Sequence, residues 1–516
     1  MVLKKLFSLL VVALICSTAF FALTGADYAV KIFADGEDTG YGVVFADLNN
    51  EYNYMLQYYA SQEGFDPIFD GLFVKYDVAG YKAQRALFDY YAYKENITAD
   101  QLKVEEEANK VVQQLLSQEG QEEAIKSQYG SVENFYKFVV SVYRKEMTRD
   151  EVMGIIANVT SADLKDFFEK NKEAINERLE KVSAKHILVD TQELAEEIKA
   201  KILNGEITFE DAAKEYSTCP SNAEGGDLKE FGRKQMVQTF EAAAFSAPLN
   251  EVMGPVKTDF GYHLITVYDH YVVDTFEKYQ ETDEFAKLAE DLKTQKMQTW
   301  IQDYMLKNNI SFKFFGILSD IEQFSLLYQD SVSTQSLAEL VEFMRTYVPN
   351  GEDGHIFVEV ALSSILSIVQ QNPDALDAET TAKMTELRKK NLEALSNFED
   401  ASLGALSRLY GMDPEDTRIG VKFFGKYIDQ AILIATEDKE FFEKNKTAIV
   451  SQLKQAVPQL EKIALNETAD SRDRVIAYMY LIRINNLADE KEQNQAIADR
   501  ILELDPENSE VLELIK

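Results

Sequence analysis

A chain of 516 residues has room for about three or four domains. With 46 % hydrophobic and 11 % aromatic residues and little Gly or Pro (23 and 9), it can bury real cores, which excludes disorder over its whole length and fibrous or low-complexity architectures. Its 88 acidic side chains against 53 basic ones leave a net charge of −35, which argues against nucleic acid as a partner, and 2 Cys rule out a disulfide framework or a thiolate-built zinc site.

In chain order, Lys4 and Lys5 precede a largely apolar run from Leu6 to Leu23, the pattern of an export signal. The run is long for a signal and near the lower limit for a membrane span, so residues 1–26 are expected to be a signal peptide or a membrane anchor. Either way the lysines stay inside and the rest is exported, to the periplasm or the outer face of the cytoplasmic membrane. Small residues at Ser17/Ala19 and at Thr24/Ala26 offer two cleavage sites, and Ile15 before Cys16 does not suit a lipidation signal. Without the leader, Cys219 is the only cysteine, which is unusual where oxidising conditions favour pairing.

Ala29–Phe33 alternates like a strand, and Asp35-Gly36 with Gly40 marks a turn. From about Asp47 to Ile175 the chain reads as helices, with Ala83–Tyr93 and Phe135–Tyr143 carrying packing residues at helical spacing. Thr160-Ser-Ala-Asp163 is a capping signal for a charged helix reaching about Lys181. Residues 182–271 change character to a small α+β unit. Val182–Val189 reads as a strand, Thr191–Leu203 as a helix stopped at Gly205, and Thr208 with Asp211 as the cap of a second helix. Gly225-Gly226 marks a turn, Gln238–Phe245 a third helix, and Val256–Thr258 with Tyr262–Val267 a hairpin.

Phe276 to Lys307 is predicted as one long amphipathic helix, and Ile310–Phe314 as a strand able to pair with Ala29–Phe33, closing the first helical region. Everything after Gly316 reads as helical. Met412-Asp-Pro and Leu504-Asp-Pro look like repeat boundaries, with Asp as N-cap and Pro at the first helical position. Val475–Leu487 followed by Ala496–Leu504 resembles a tetratricopeptide helix pair whose spacing departs from the ideal period, so the region is TPR-like or an irregular bundle.

The chemistry-bearing residues concentrate in 182–271. They run Lys185-His186-Ile-Leu-Val, Tyr216-Ser-Thr-Cys219-Pro-Ser, Gly225-Gly-Asp-Leu228, Gln235-Met236-Val-Gln-Thr-Phe240 and Gly254-Pro-Val-Lys-Thr258-Asp-Phe260-Gly-Tyr-His263. Together these resemble the parvulin family of peptidyl-prolyl cis/trans isomerases over about 90 residues, motif after motif in order. The flanking regions resemble exported foldases of the SurA/PrsA type. The implied fold is mainly α with an inserted α+β parvulin domain. Its expected parts are a SurA N-like helical chaperone domain at 27–181, the isomerase at 182–271, a completing helix and strand at 272–315, and a C-terminal helical TPR-like region at 316–516.

By the resemblance, Leu228, Met236 and Phe240 line a proline pocket with Phe260 at its rim, and His186, His263, Cys219 and Thr258 form the polar catalytic cluster. Taken singly, a His on an apolar strand, or Met and Phe at i, i+4, read as core; the family match makes them a site. Rotation about an X-Pro bond needs no cofactor and no metal, only a pocket for the ring and surroundings that favour the twisted amide. Cys219 is expected to act non-covalently. Lys229 and Lys234 stand where the family favours glycine, placing two cations at the rim, and Gln238 stands where proline is frequent. Residues 190–194 carry no basic cluster, against phosphate-directed specificity. The expected partners are unfolded or folding exported proteins with X-Pro bonds, and a protein docked on the C-terminal helices. The rival reading is a non-catalytic holdase or envelope scaffold.

Overall fold

The computed structural model describes residues 28–515 apart from 63 and 335, so the signal or anchor expected at 1–26 lies outside the described residues. Among the described residues no helix is long and apolar enough to cross a membrane. Two compact units divide the chain: one holds the described residues up to Arg149 together with those from Asn308 on, the other is Asp150–Lys307. These cuts fall elsewhere than the boundaries read from the sequence.

The first unit begins with β1 (Tyr28–Ala34) and β2 (Glu37–Val44), a hairpin. Its first strand and its turn were legible beforehand, but β2 was not, because Glu37-Asp-Thr-Gly-Tyr-Gly shows no apolar alternation. There follow α1 (Phe45–Tyr59), α2 (Gly71–Lys94), α3 (Gln101–Leu116), α4 (Gln121–Tyr129) and α5 (Val132–Ile156). In the second unit come α6 (Ser161–Leu179), β3 (Lys181–Val189), α7 (Gln192–Leu203), α8 (Phe209–Tyr216), β4 (Asp227–Gly232), α9 (Gln238–Ser246), β5 (Val252–Thr258), β6 (Gly261–Tyr271), α10 (Phe276–Gln280) and α11 (Asp283–Lys307). The chain then returns to the first unit through β7 (Ile310–Phe314), which pairs antiparallel with β1 from Val30↔Phe314 to Ala34↔Ile310. The pairing suggested by the two alternating segments is therefore present, in a sheet ordered β2-β1-β7.

After β7 the chain is helical: α12 (Ile317–Thr334), α13 (Ala338–Thr346), α14 (Gly351–Gln371), α15 (Ala378–Leu395), α16 (Ser402–Met412), α17 (Thr417–Glu437), α18 (Lys439–Leu453), α19 (Val457–Leu465), α20 (Ser471–Leu487), α21 (Asn494–Leu504) and α22 (Glu510–Leu514). One apolar cluster joins Val30, Leu48, Phe69 and Leu72 to Leu318, Phe324, Met344, Phe357, Ile365, Leu392 and Leu406. The helices after residue 315 thus complete the core of the first sheet and helices. A second cluster, running from Val421 to Val511, holds the last helices together.

A buried charge spans the same seam. Glu359 on α14 is fully buried and accepts from Arg388 of α15 (Nη2 2.6 Å) and from the Ser363 hydroxyl (3.0 Å). Arg408 of α16 approaches it at 3.5 Å, reaches Asp66 at 3.2 Å, and lies 3.8 Å over the Phe69 ring. Desolvating a carboxylate is costly unless it is paired, so this set fixes how α14–α16 meet the segment before α2.

Two local expectations need correction. The stretch 276–307 is not one helix: Thr275 caps α10, and Thr282 accepts from the Phe285 N–H at 3.2 Å to start α11 afresh. Asp413 and Asp505 are C-caps of α16 and α21, with Pro immediately after the stop; Asp416 is the N-cap of α17. Pro suits either place, since it can neither continue a helix nor needs a partner at a helix start.

Candidate active site

In the second unit β4-β3-β6-β5 form an antiparallel sheet. Its register sets Leu188 opposite His263 and His186 opposite Ile265. Residues 186 and 188 share a face by the strand period of two, so the histidines are diagonal neighbours on one face. Their rings stack at 5.4 Å with Nδ1 to Nδ1 at 3.1 Å. The outer nitrogens continue the chain: His186 Nε2 lies 3.2 Å from Ser221 Oγ, and His263 Nε2 lies 2.8 Å from Thr258 Oγ1.

Four side chains therefore form one line, Ser221–His186–His263–Thr258. A shared Nδ1–Nδ1 bond between neutral rings requires one ring to donate and the other to accept. The donors then all point from Ser221 toward Thr258, or all point the other way. Thr258 also accepts from the Phe260 N–H at 3.1 Å, at the tip of the β5–β6 hairpin.

Sequence reading did not single out Ser221, although it follows Cys219-Pro in the motif. Its place depends on a tight backbone approach: the Gly226 N–H donates to Ser221 O at 2.8 Å and the His186 N–H to Gly226 O at 2.9 Å. A Cβ on Gly226 would sit 2.3 Å from the His186 carbonyl, and its φ is +83°, so only glycine closes this corner. Cys219 caps the short 3-10 turn Pro220–Glu224 and is partly exposed. Among the described residues no hydrogen bond joins its Sγ to the line; its N–H donates to Ser217 Oγ at 3.4 Å.

Beside the histidines lies the apolar group. Leu228 on β4, Met236 ahead of α9 and Val256 on β5 are half-buried against a core containing Phe240, Phe231 and Ile265. Phe240 meets both histidine rings edge-on, at 5.6 and 5.1 Å, and is only 3 % exposed. It is as much core as wall. Phe260 is 67 % exposed, away from that cluster. Lys229 and Lys234 have φ of 62° and 66°, the left-handed region that explains the family's glycines at these positions. Lys229 is held by Asp227 (2.9 Å) and Glu224 (3.1 Å), so its charge is answered locally.

Burial disfavours the charged form of each histidine. The His186 pKa falls from 6.5 to about 4, by desolvation and then by the facing His263; that of His263 is also lowered by burial. In this window the unfolded chain binds more protons than the folded one. The stability contributed is complete above about pH 6.5 and is lost as pH falls toward 4, by about 3 kcal/mol for His186. Denaturant unfolding of the wild type and of His186→Gln, compared between pH 7 and 5 where carboxylates stay ionised, is expected to show the larger loss in the wild type, the variant keeping only the part due to His263. Equal slopes in both would contradict the burial argument.

Residues 164–269 match the rotamase family, PPIC-type PPIASE domain. The foldase protein PrsA of Geobacillus kaustophilus is 33 % identical over 208 residues, which are 39 % of this chain and 71 % of that protein. The chain belongs to the PrsA foldase family. It is thus a peptidyl-prolyl isomerase, as its motifs led one to expect. The match to PrsA of Bacillus subtilis, 36 % identical, takes in 31 % of this chain and about half (51 %) of that relative. Among solved structures, the parvulin of Nitrosopumilus maritimus is 39 % identical, covering 17 % of this chain and 96 % of that one with a TM-score of 0.17.

Proposed function

We propose that this foldase binds X-Pro segments of unfolded exported proteins and turns the prolyl bond non-covalently at the His186–His263 face. The line Ser221–His186–His263–Thr258 lying beside the half-buried apolar side chains Leu228, Met236 and Val256 is the observation that carries this reading. In it Leu228 and Met236 receive the ring, Phe240 forms the floor beneath the histidines, and Phe260 stands at the exposed rim.

The amide barrier of ~18–20 kcal/mol comes from conjugation, and an apolar recess disfavours the charge-separated planar form. When the donors run toward Thr258, its oxygen accepts from His263 Nε2–H and from the Phe260 N–H. Its own O–H is then left to donate to the prolyl nitrogen, whose lone pair is released as the amide twists, which favours the twisted form. Neutral histidines suit this task, because the line needs one acceptor and one donor nitrogen on each ring. Cys219 stands at the edge of the line as a polar neighbour with no nucleophilic role. We place the site in a domain of residues 182–271, exported to the periplasm or the outer face of the cytoplasmic membrane, with residues 1–26 as leader or tether. The helical regions would hold the client, and the C-terminal helices a protein partner.

The test is isomerisation of a short X-Pro peptide by residues 27–516, beside Cys219→Ser. Activity is expected in both, with the serine variant keeping part of it. A folded wild type without activity that still suppresses client aggregation would favour the holdase, and a Cys219 adduct trapped stoichiometrically would overturn the non-covalent route.

A further inference from the structure

Glu180 lies between α6 and β3 and is 6 % exposed. Its Oε2 accepts from Arg233 Nε at 2.8 Å and Nη2 at 2.5 Å, and its Oε1 from His270 Nε2–H at 2.7 Å. The next residue, Lys181, pairs with Gly232 of β4 on one side and Tyr271 of β6 on the other. One carboxylate at the sheet's end thus reaches past both neighbouring strands. Its two donors converge on a single ring of α9: the Arg233 guanidinium lies 4.0 Å over Phe245, and His270 meets that ring edge-on at 6.1 Å. The following residue is tied as well, the Lys234 N–H donating to Glu241 Oε2 at 2.5 Å. The loop that begins at Arg233 carries Met236.

We propose that Glu180 is a positioning residue for the proline pocket: through Arg233 it fixes the loop that presents Met236. A buried ion pair is a weak source of net stability, since apolar groups of similar volume often serve as well. What two N–H bonds from one planar guanidinium supply is orientation. A pocket wall displaced by a fraction of an ångström to an ångström loses much of its effect on a bound ring. Because Glu180 ends α6, which packs through Phe168 and Ile175 on Val273, Tyr279 and Leu288, the loop is registered to the helical part of its own unit.

The inference rests on Met236 lining the pocket, and its test separates the two. Glu180→Gln, Glu180→Asp, Met236→Ala and the Met236→Ala/Glu180→Gln double variant would be compared as full chains. NMR exchange on an X-Pro tetrapeptide separates binding from rotation, and the Met236 methyl resonance and a thermal melt report geometry and folding. Glu180→Gln is expected to raise KM about five- to tenfold with kcat and its pH profile unmoved, to shift the Met236 methyl, and to add less than about twofold on the Met236→Ala background. An unchanged KM in a folded Gln or Asp variant, or the same factor on the Met236→Ala background, overturns the role of Glu180. A Met236→Ala chain with normal KM overturns the pocket assignment instead. Should the Gln variant fail to fold, Glu180→Asp, which keeps the charge and shortens the reach, carries the same comparison.

Discussion

Met236→Ala is expected to lower kcat/KM for an X-Pro peptide by about 10- to 100-fold in a chain that melts within a few degrees of the wild type, because a deleted contact with a buried ring is worth about 1.5–3 kcal/mol. The structure separates this residue from Phe240, its sequence partner four positions on. Met236 is only half-buried against the cluster, so truncating it removes wall and little core. Phe240 is 3 % exposed and packs on both histidines and on Phe231 at 6.3 Å. Phe240→Ala would leave a cavity costing about 3–5 kcal/mol and would confound loss of activity with loss of fold. Phe240→Leu keeps most of the volume and is the variant to pair with Met236→Ala. The pair is expected to fall below about 1 % of wild-type kcat/KM, since both act on one ring. Normal turnover in a folded double variant would remove the proline pocket from this face.

What the sequence made legible follows from how local each signal is. The strand and helix starts of the isomerase unit were readable because caps and periodicity are short-range: Thr208 accepts from the Asp211 N–H as its spacing implied, and Thr191, read as the first helical residue, is the N-cap that accepts from the Leu194 N–H. The histidine pair was readable through motif order. Ser221 was not, because its role depends on the turn at Gly225-Gly226 folding back onto β3, which no spacing announces. Glu180 escaped for the same reason: its partners lie 53 and 90 residues away. The strand β2 was missed because its residues lack an apolar alternation and are ordered by pairing with β1. Asp413 and Asp505 were misplaced because Asp-Pro serves a helix end as well as a helix start. The comparisons fix the isomerase and leave the helices after residue 315 to be argued from packing alone.

That packing makes its own strong claim. A chain ended at residue 315 is expected to lose the fold of the first sheet with α1 and α2 while keeping that of the second unit. The cluster around Val30, Leu48, Phe69 and Leu72 is closed by Leu318, Phe324, Phe357 and Leu406, all of which the truncation removes. Each fully buried side chain of this size is worth about 1.5–3 kcal/mol, against a net domain stability of about 5–15 kcal/mol. The loss of Arg408 adds to this, since Asp66 loses its ion pair and Phe69 its guanidinium cover. The second unit draws on its own clusters, centred on Phe231 and Phe240, on Ile187 and Leu264, and on Phe168 and Tyr279, none of which uses a residue beyond 307. Short-peptide isomerisation by residues 28–315 is therefore expected to stay within about threefold of the full chain. Helical circular dichroism from α1 and α2 is expected to fall, while α3–α5 keep their own cluster around Val112 and Phe135, and aggregation suppression is expected to weaken with it. A truncated chain that melts cooperatively near the full-length temperature would show instead that the N-terminal helices fold alone, and that the helices after 315 are an appendage.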